Sequence, residues 1–82
     1  MIRSPLLDRI TLNPEICHGK PTIRNTRYMV TAMLDYLAGG DTIEELIEEF
    51  PGLEHEDFLA CIAYANVMLQ ASDSIAVHRV AA

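Results

Sequence analysis

The chain has 82 residues, half of them hydrophobic, and a formal net charge of −6 at pH 7. This length predicts one domain over residues 1–82, with a core so small that association with a second chain is a reasonable expectation. No uncharged apolar run approaches the roughly 20 residues of a membrane-spanning helix, and the first ten residues lack the apolar core of a signal peptide. We therefore expect a cytoplasmic protein with no membrane contact.

The charge is unevenly distributed along the chain. Residues 1–30 carry five basic and two acidic side chains, whereas residues 31–82 carry one basic and ten acidic side chains. Such an asymmetry between the two parts of a chain indicates a charged partner, so the acidic average does not exclude nucleic acid.

The front of the chain favours a small β element within residues 8–28. Residues 8–12 and 22–28 are short segments with Ile, Leu, Thr and Tyr. They are separated by the turn-forming residues Asn13, Pro14, Gly19 and Pro21. This pattern predicts two short strands or extended arms whose loops carry basic side chains.

Three of these basic residues, Lys20, Arg24 and Arg27, are the predicted nucleic-acid-binding residues. Basic loops on paired arms can hold phosphates, and a dimer would double the cationic surface. In the alternative interpretation, Arg24 and Arg27 pair with the molecule's own surplus of carboxylates.

Three helices are predicted over residues 30–70. The first covers about residues 30–38, where apolar residues recur at i, i+3, i+4 and i+7 before Gly39 and Gly40. The second begins at a capping box, in which the Thr42 hydroxyl and the Glu45 carboxylate each accept a hydrogen bond from a free amide. It ends before Pro51, and its four glutamates form a solvated face that repels nucleic acid.

The third helix is predicted from near His55 to Gln70. No Asp, Glu, Lys, Arg or His occurs from Phe58 through Ser72. One apolar stripe predicted for the core contains Phe58, Cys61, Ile62, Ala65, Met68 and Leu69. A second apolar face, with Leu59, Tyr64 and Val67, is the predicted interface with a second copy or another partner, unless the other helices and the arms cover it.

These elements predict a mainly α fold, a three-helix, helix-turn-helix-like bundle with a short N-terminal β element. In helix-turn-helix proteins the last helix normally enters the major groove. Here that helix begins with acidic residues and continues uncharged, so we expect the topology without the groove-reading role. Residues 74–82 are predicted to be a C-terminal tail, which carries Arg79.

The sequence offers little support for a metal site, a cofactor or catalysis. Gly19 and Lys20 lack the spacing of a phosphate-binding loop, and the scattered His and Cys residues lack the spacing of zinc ligands. Cys17 and Cys61 lie far apart and are expected to be reduced. We expect no enzyme, because no base, nucleophile or carboxylate pair converges on a cleft.

A longer motif runs through the front of the chain and into the third helix. It comprises Ile10, Asn13-Pro14, Gly19-Lys20-Pro21, Ile23, Thr26-Arg27, Val30, Leu37, Glu44-Glu45, Pro51, Leu53 and Glu56-Asp57. Over roughly residues 8–65 this pattern resembles the domain of unknown function 433 family of small prokaryotic proteins. Two residues depart from the family pattern: Asn25 stands where Gly is usual, and Glu54 where Ser or Thr would cap the third helix.

The resemblance implies a homeodomain-like or winged-helix-like bundle and an antitoxin-like role beside a PIN-like nuclease toxin. A basic side chain, Arg24, Arg27 or Arg79, would then pair with the carboxylates that hold the toxin's metal, while the basic arms would hold operator DNA. The alternative function is a homodimeric protein-interaction module with no nucleic-acid role.

Overall fold

The computed structural model describes residues 5–73 and confirms a mainly α fold with a short N-terminal β element. Its elements are a 3₁₀ helix (Pro5–Arg9), strand β1 (Ile10–Thr11), a helical turn (Cys17–Gly19), strand β2 (Thr22–Ile23), and helices α1 (Val30–Ala38), α2 (Ile43–Glu49) and α3 (His55–Asp73). The tail predicted over residues 74–82, with Arg79, lies outside the described residues. In the described range, no helix is both long and apolar enough to cross a membrane.

The β element is an antiparallel pair in which Ile10 faces Ile23 and Thr11 faces Thr22. A tight turn follows β2, and its central residues Arg24 and Asn25 have φ angles of 46° and 59°. Positive φ at both central positions is the signature of a type I′ turn, in which Asn is well tolerated. The strands are shorter than the predicted segments because the chain turns immediately after Ile23.

The helix boundaries follow local sequence signals. At the start of α2, the Glu45 amide donates to the Thr42 hydroxyl over 3.1 Å, and the Thr42 amide donates to the Glu45 carboxylate over 2.9 Å. The predicted capping box is therefore confirmed. Gly40 and Gly52, which follow α1 and α2, have φ angles of 109° and 100°, a backbone conformation that favours glycine.

The core lies between β2 and the three helices. Its buried residues are Ile23, Val30, Met33, Leu46, Leu53, Phe58 and Cys61. The stripe predicted for the core side of α3 is correct at Phe58 and Cys61, which are fully buried, but wrong at Ile62, Met68 and Leu69, which are 47%, 46% and 66% exposed. Helix α3 has 19 residues whereas α1 and α2 have nine and seven, so the shorter helices cannot cover all of it.

Candidate functional site

The side chain of Asp57, in the first turn of α3, is fully buried. Its carboxylate accepts a hydrogen bond at Oδ2 from the amide of Glu54, over 2.8 Å. A buried carboxylate needs compensating donors or a positive charge, because removal from water disfavours the ionised form.

Two arginines from the N-terminal segment supply that compensation. Arg24 donates from Nε to Oδ1 of Asp57 over 3.0 Å and from Nη2 to Oδ2 over 2.7 Å, and Arg9 donates from Nη1 to Oδ1 over 3.0 Å. With the Glu54 amide, these contacts supply a donor for each of the roughly four acceptor positions of a carboxylate. We call Arg9, Arg24 and Asp57 the arginine–aspartate cluster.

The cluster also reaches the turn between α2 and α3. Arg24 Nη2 donates to the carbonyl of Gly52 over 2.7 Å, and Arg9 Nη1 donates to the carboxylate of Glu54 over 2.7 Å. The two arginines therefore join the β element to the beginning of α3 through oxygen atoms of Gly52, Glu54 and Asp57.

Backbone pairing brings the two arginines together. The Arg24 amide donates to the Arg9 carbonyl over 2.8 Å, beside the paired strands. The left-handed conformation of Arg24 belongs to the turn that follows β2. Local turn geometry thus places both guanidinium groups on the same carboxylate.

The pKa of Asp57 is held below its ordinary value. Burial alone would raise this pKa, but hydrogen bonds from Arg24, the Glu54 amide and Arg9 outweigh burial. The same contacts raise the pKa values of Arg9 and Arg24, chiefly through hydrogen bonds to Glu54 and Asp57. The cluster is accordingly ionised at neutral pH, and its carboxylate serves as an acceptor of hydrogen bonds.

Among the predicted nucleic-acid-binding residues, Arg24 differs from the other two. Its guanidinium makes the internal pair that the alternative interpretation described, although its side chain keeps 40% of its surface exposed. Lys20 and Arg27 are exposed, and within residues 5–73 neither makes an ion pair. Among the described residues, pairing with the protein's own carboxylates is therefore observed for Arg24 and not for Arg27.

Lys20 and Arg27 lie on two segments that contact each other. The Lys20 amide donates to the Cys17 carbonyl over 3.1 Å, and the Cys17 thiol approaches the Arg27 carbonyl at 3.9 Å. Cys17 and His18 have φ angles of 50° and 58°, so this loop turns sharply. We call the segments 17–20 and 26–28 together the cationic loop pair.

The predicted partner-binding residues of α3 do not share one face. Leu59 is exposed, Tyr64 is half-buried and packs against the core, and Val67 is half-buried. The exposed apolar face is instead formed by Leu59, Ile62 and Leu69, with Asn66 among them. Arg79, the fourth predicted partner-binding residue, lies outside the described residues.

His18 and His55 are exposed, and the described part of the chain contains no pocket. Within residues 5–73, no three His, Cys, Asp or Glu side chains are grouped as metal ligands would be. The Cys61 thiol is buried, and burial together with the nearby Asp57 charge raises its pKa to about 12.

The arginine–aspartate cluster was not predicted from the sequence, which indicated only a favourable place for Asp57 near the helix N-terminus. One signal was available. Asp57 precedes Cys61 by four positions and Tyr64 by seven, so all three lie on one face of the helix. A carboxylate in line with buried residues indicates a buried partner of opposite charge.

The fold and the cluster define a small three-helix protein whose N-terminal β element is joined to its last helix through arginine–aspartate contacts. Residues 10–65 match the model of the family described as "Protein of unknown function (DUF433)", and the chain belongs to that family.

Two relatives extend the comparison. The chain is 32% identical over 57 residues to the "Uncharacterized protein y4eO" of Sinorhizobium fredii (strain NBRC 101917 / NGR234), which covers 70% of this chain and only 26% of that protein. It also resembles the crystal structure of a DUF433 member protein from Anabaena variabilis ATCC 29413, with 33% identity and a TM-score of 0.70. That match covers 80% of this chain and 65% of the other. The chain thus spans about a quarter of the curated relative it matches.

Proposed function

We propose that this chain is an antitoxin-like binding protein that neutralises a PIN-like nuclease and also binds operator DNA. The observation that carries the proposal is the cationic loop pair, where Lys20 and Arg27 remain without ion pairs in the described part of an acidic protein. The nuclease is proposed as the partner from the family resemblance, because members of that family resemble the antitoxin half of toxin–antitoxin pairs.

Charge supports contact through the cationic loop pair. A nuclease that holds metal ions with carboxylates presents a concentrated negative charge, and a guanidinium binds such carboxylates through two parallel hydrogen bonds. Arg27 is available for this contact, whereas Arg24 already donates to Asp57. We propose that Arg27 pairs with the carboxylates that hold the metal of the nuclease. The positive charge of Lys20 strengthens the attraction between the two proteins.

Helix α3 is a poor candidate for reading DNA. In its first turn, Asp57 is paired with Arg9 and Arg24. The following residues carry no charge as far as Ser72. DNA contact in this proposal is made by the cationic loop pair to phosphates, which gives affinity and salt dependence with little sequence reading.

The proposal assigns binding, and no catalysis, to this chain. In support, the acceptor positions of its buried carboxylate are occupied by donors from Arg9, Arg24 and Glu54.

The test is inhibition of a PIN-like nuclease, the partner class that the family resemblance implies, measured as RNA cleavage at increasing concentrations of the purified chain. We expect loss of cleavage with the native chain. Replacing Lys20 and Arg27 by Gln should weaken inhibition at least about tenfold, as expected for charge-assisted contacts. The control replaces Lys20 by Arg and Arg27 by Lys, which preserves charge and should retain more inhibition. A nuclease unaffected by the native chain would refute the neutralising role.

DNA binding is measured separately, by retention of the upstream operator fragment at several salt concentrations. The Gln double variant should bind DNA more weakly. The slope of the logarithm of its binding constant against the logarithm of salt concentration should be smaller in magnitude, by roughly one for each phosphate that Lys20 and Arg27 neutralise in the native complex. Equal retention by the native and Gln variants would remove DNA binding by Lys20 and Arg27 from the proposal.

A second candidate function is a homodimeric protein-interaction module without a nucleic-acid role. The observation that favours it is the uncharged apolar face of α3, on which Ile62 and Leu69 are 47% and 66% exposed. Exposed apolar residues on one helix face commonly mark a protein contact. Dimers that ignore DNA at low salt would favour this candidate over operator binding.

A further inference from the structure

The loop between β1 and β2 carries apolar side chains that the core does not cover. Leu12 is 60% exposed, Pro14 is exposed and Ile16 is half-buried. Within residues 5–73, the half-buried residues that pack against the core do not include Ile16. We call Leu12, Pro14 and Ile16 the apolar loop patch.

Strand pairing places the apolar loop patch beside the cationic loop pair. Thr11 pairs with Thr22 in the antiparallel register. The next positions on the two segments are Leu12 and Pro21, and Pro21 directly follows Lys20. Leu12 therefore lies next to the segment that carries Lys20.

Backbone hydrogen bonds hold the loop in a compact turn. The Ile16 amide donates to the Asn13 carbonyl over 2.9 Å, and the Gly19 amide donates to the Ile16 carbonyl over 3.0 Å. The Glu15 amide donates to the side-chain oxygen of Asn13 over 2.9 Å. Gly19 also lies close to Pro14, because a Cβ added at Gly19 would be 3.7 Å from the Pro14 Cα. A loop that is already ordered in this way has less conformational entropy to lose when it binds.

The combination of apolar and basic side chains fits a protein partner better than nucleic acid. Contacts to nucleic acid are largely hydrogen bonds from basic and polar groups to phosphates and sugars. Protein interfaces combine an apolar centre with a polar rim, and arginine is enriched in them. Lys20 and Arg27 make no ion pair within the described part of the chain. The surface therefore complements a protein on which carboxylates stand beside an apolar depression.

We infer that the apolar loop patch contacts the same protein partner as the cationic loop pair, with the Leu12 side chain inserted into an apolar depression next to the partner's carboxylates. Contact through Leu12 rests on the nuclease-neutralising function proposed above, and it adds the chemistry of the surface that the chain recognises. Carboxylates and phosphates both attract Lys20 and Arg27, but phosphates offer no pocket for a leucine side chain. Leu12 therefore distinguishes the protein partner from DNA.

One substitution separates the two kinds of binding. Leu12→Ser removes the apolar side chain and leaves every charge in place. The concentration of the chain that half-inhibits the PIN-like nuclease should rise at least about tenfold, as expected when a leucine is no longer buried in the complex. Retention of the operator fragment should stay within about twofold of the native value, because the cations that contact phosphates are unchanged.

The matched control is Leu69→Ser. Leu69 is 66% exposed, close to the value for Leu12, and it lies on α3. The control removes the same apolar side chain from a different surface, so inhibition should be unchanged. Leu12→Met keeps an apolar side chain of similar size and should retain most of the inhibition. Circular dichroism and thermal unfolding of the three variants verify that they remain folded.

The outcomes distinguish failure of this contact from failure of the proposed function. Inhibition that is unchanged by Leu12→Ser, or reduced equally by Leu69→Ser, would overturn contact through Leu12 and leave the neutralising function standing. A parallel loss of operator retention in Leu12→Ser would also overturn the inference, because Leu12 would then serve DNA binding as well. A nuclease unaffected by the native chain would refute the neutralising function, and with it the contact.

Discussion

Arg24 donates to both carboxylate oxygens of Asp57, a residue 33 positions further along the chain, over 3.0 and 2.7 Å. This bidentate contact joins the turn that follows the two-residue strand β2 to a 19-residue helix. A two-stranded hairpin is at best marginally stable by itself in water. The contact with Asp57 therefore holds the β element, and with it the cationic loop pair, against the helices.

Removing the charge of Asp57 should destabilise the protein strongly. Asp57→Asn leaves two guanidinium groups without their shared anion and should lower the free energy of unfolding by about 3 kcal/mol. Glu54→Gln is the matched control, because the Glu54 side chain is 58% exposed and contacts only Arg9 among the described cations. Its expected loss is below about 1 kcal/mol. Urea unfolding measures both, and similar losses would contradict a dominant role for Asp57.

Stability should fall in acid through Asp57. The folded-state pKa of this carboxyl lies below the ordinary value of 3.8. Its contribution is therefore present above about pH 4 and is lost as the pH falls through the folded pKa. Urea titrations from neutral pH into strong acid should show a steeper decline for the native chain than for Asp57→Asn. Parallel declines would assign acid unfolding to other carboxylates.

The two thiols should differ in reactivity. Burial and the Asp57 charge raise the pKa of Cys61 to about 12, and the thiolate is the reactive form. Iodoacetamide at mildly alkaline pH should therefore label Cys17 in the folded protein and Cys61 only after denaturation, as read by mass spectrometry. The Cys17→Ser variant serves as the control and should stay unlabelled until urea is added. Rapid labelling of Cys61 in the folded variant would contradict its burial.

The start of α2 depends on its capping box. Thr42→Ala removes the hydroxyl that accepts a hydrogen bond from the Glu45 amide. The substitution should lower the free energy of unfolding by about 1 kcal/mol. Thr42→Ser retains a capping hydroxyl and should change stability by less than half as much. Thermal unfolding of the two variants makes the comparison. If Ala and Ser behaved alike, the cap would have no measurable role.

The helices could be predicted from the sequence because their signals are local. The apolar spacing of α1, the T-x-x-E motif of α2 and the paired glycines all act within a few residues. The predicted first helix agrees with Val30–Ala38 at both ends. Helix α3 begins at His55 as predicted, although it continues to Asp73.

The arrangement of side chains around α3 depends on distant residues and could not be predicted in the same way. The burial of Asp57 requires Arg9 and Arg24, whose positions are set by strand pairing and a left-handed turn. The exposure of Ile62 and Leu69 reflects how far the shorter helices extend along α3. Apolar periodicity gives the faces of a helix, but it does not say which face a neighbouring element will cover.

The distance in sequence between the two sides of the arginine–aspartate cluster has a consequence for the order of folding. The cap of α2 closes over three residues, whereas Arg9 and Asp57 are 48 positions apart. Local contacts form with little loss of chain entropy, while long-range contacts must first close a large loop. We expect the helices to form early and the β element to dock last. Amide hydrogens at Ile23 and Arg24 should then gain protection from exchange after those of α2 during refolding.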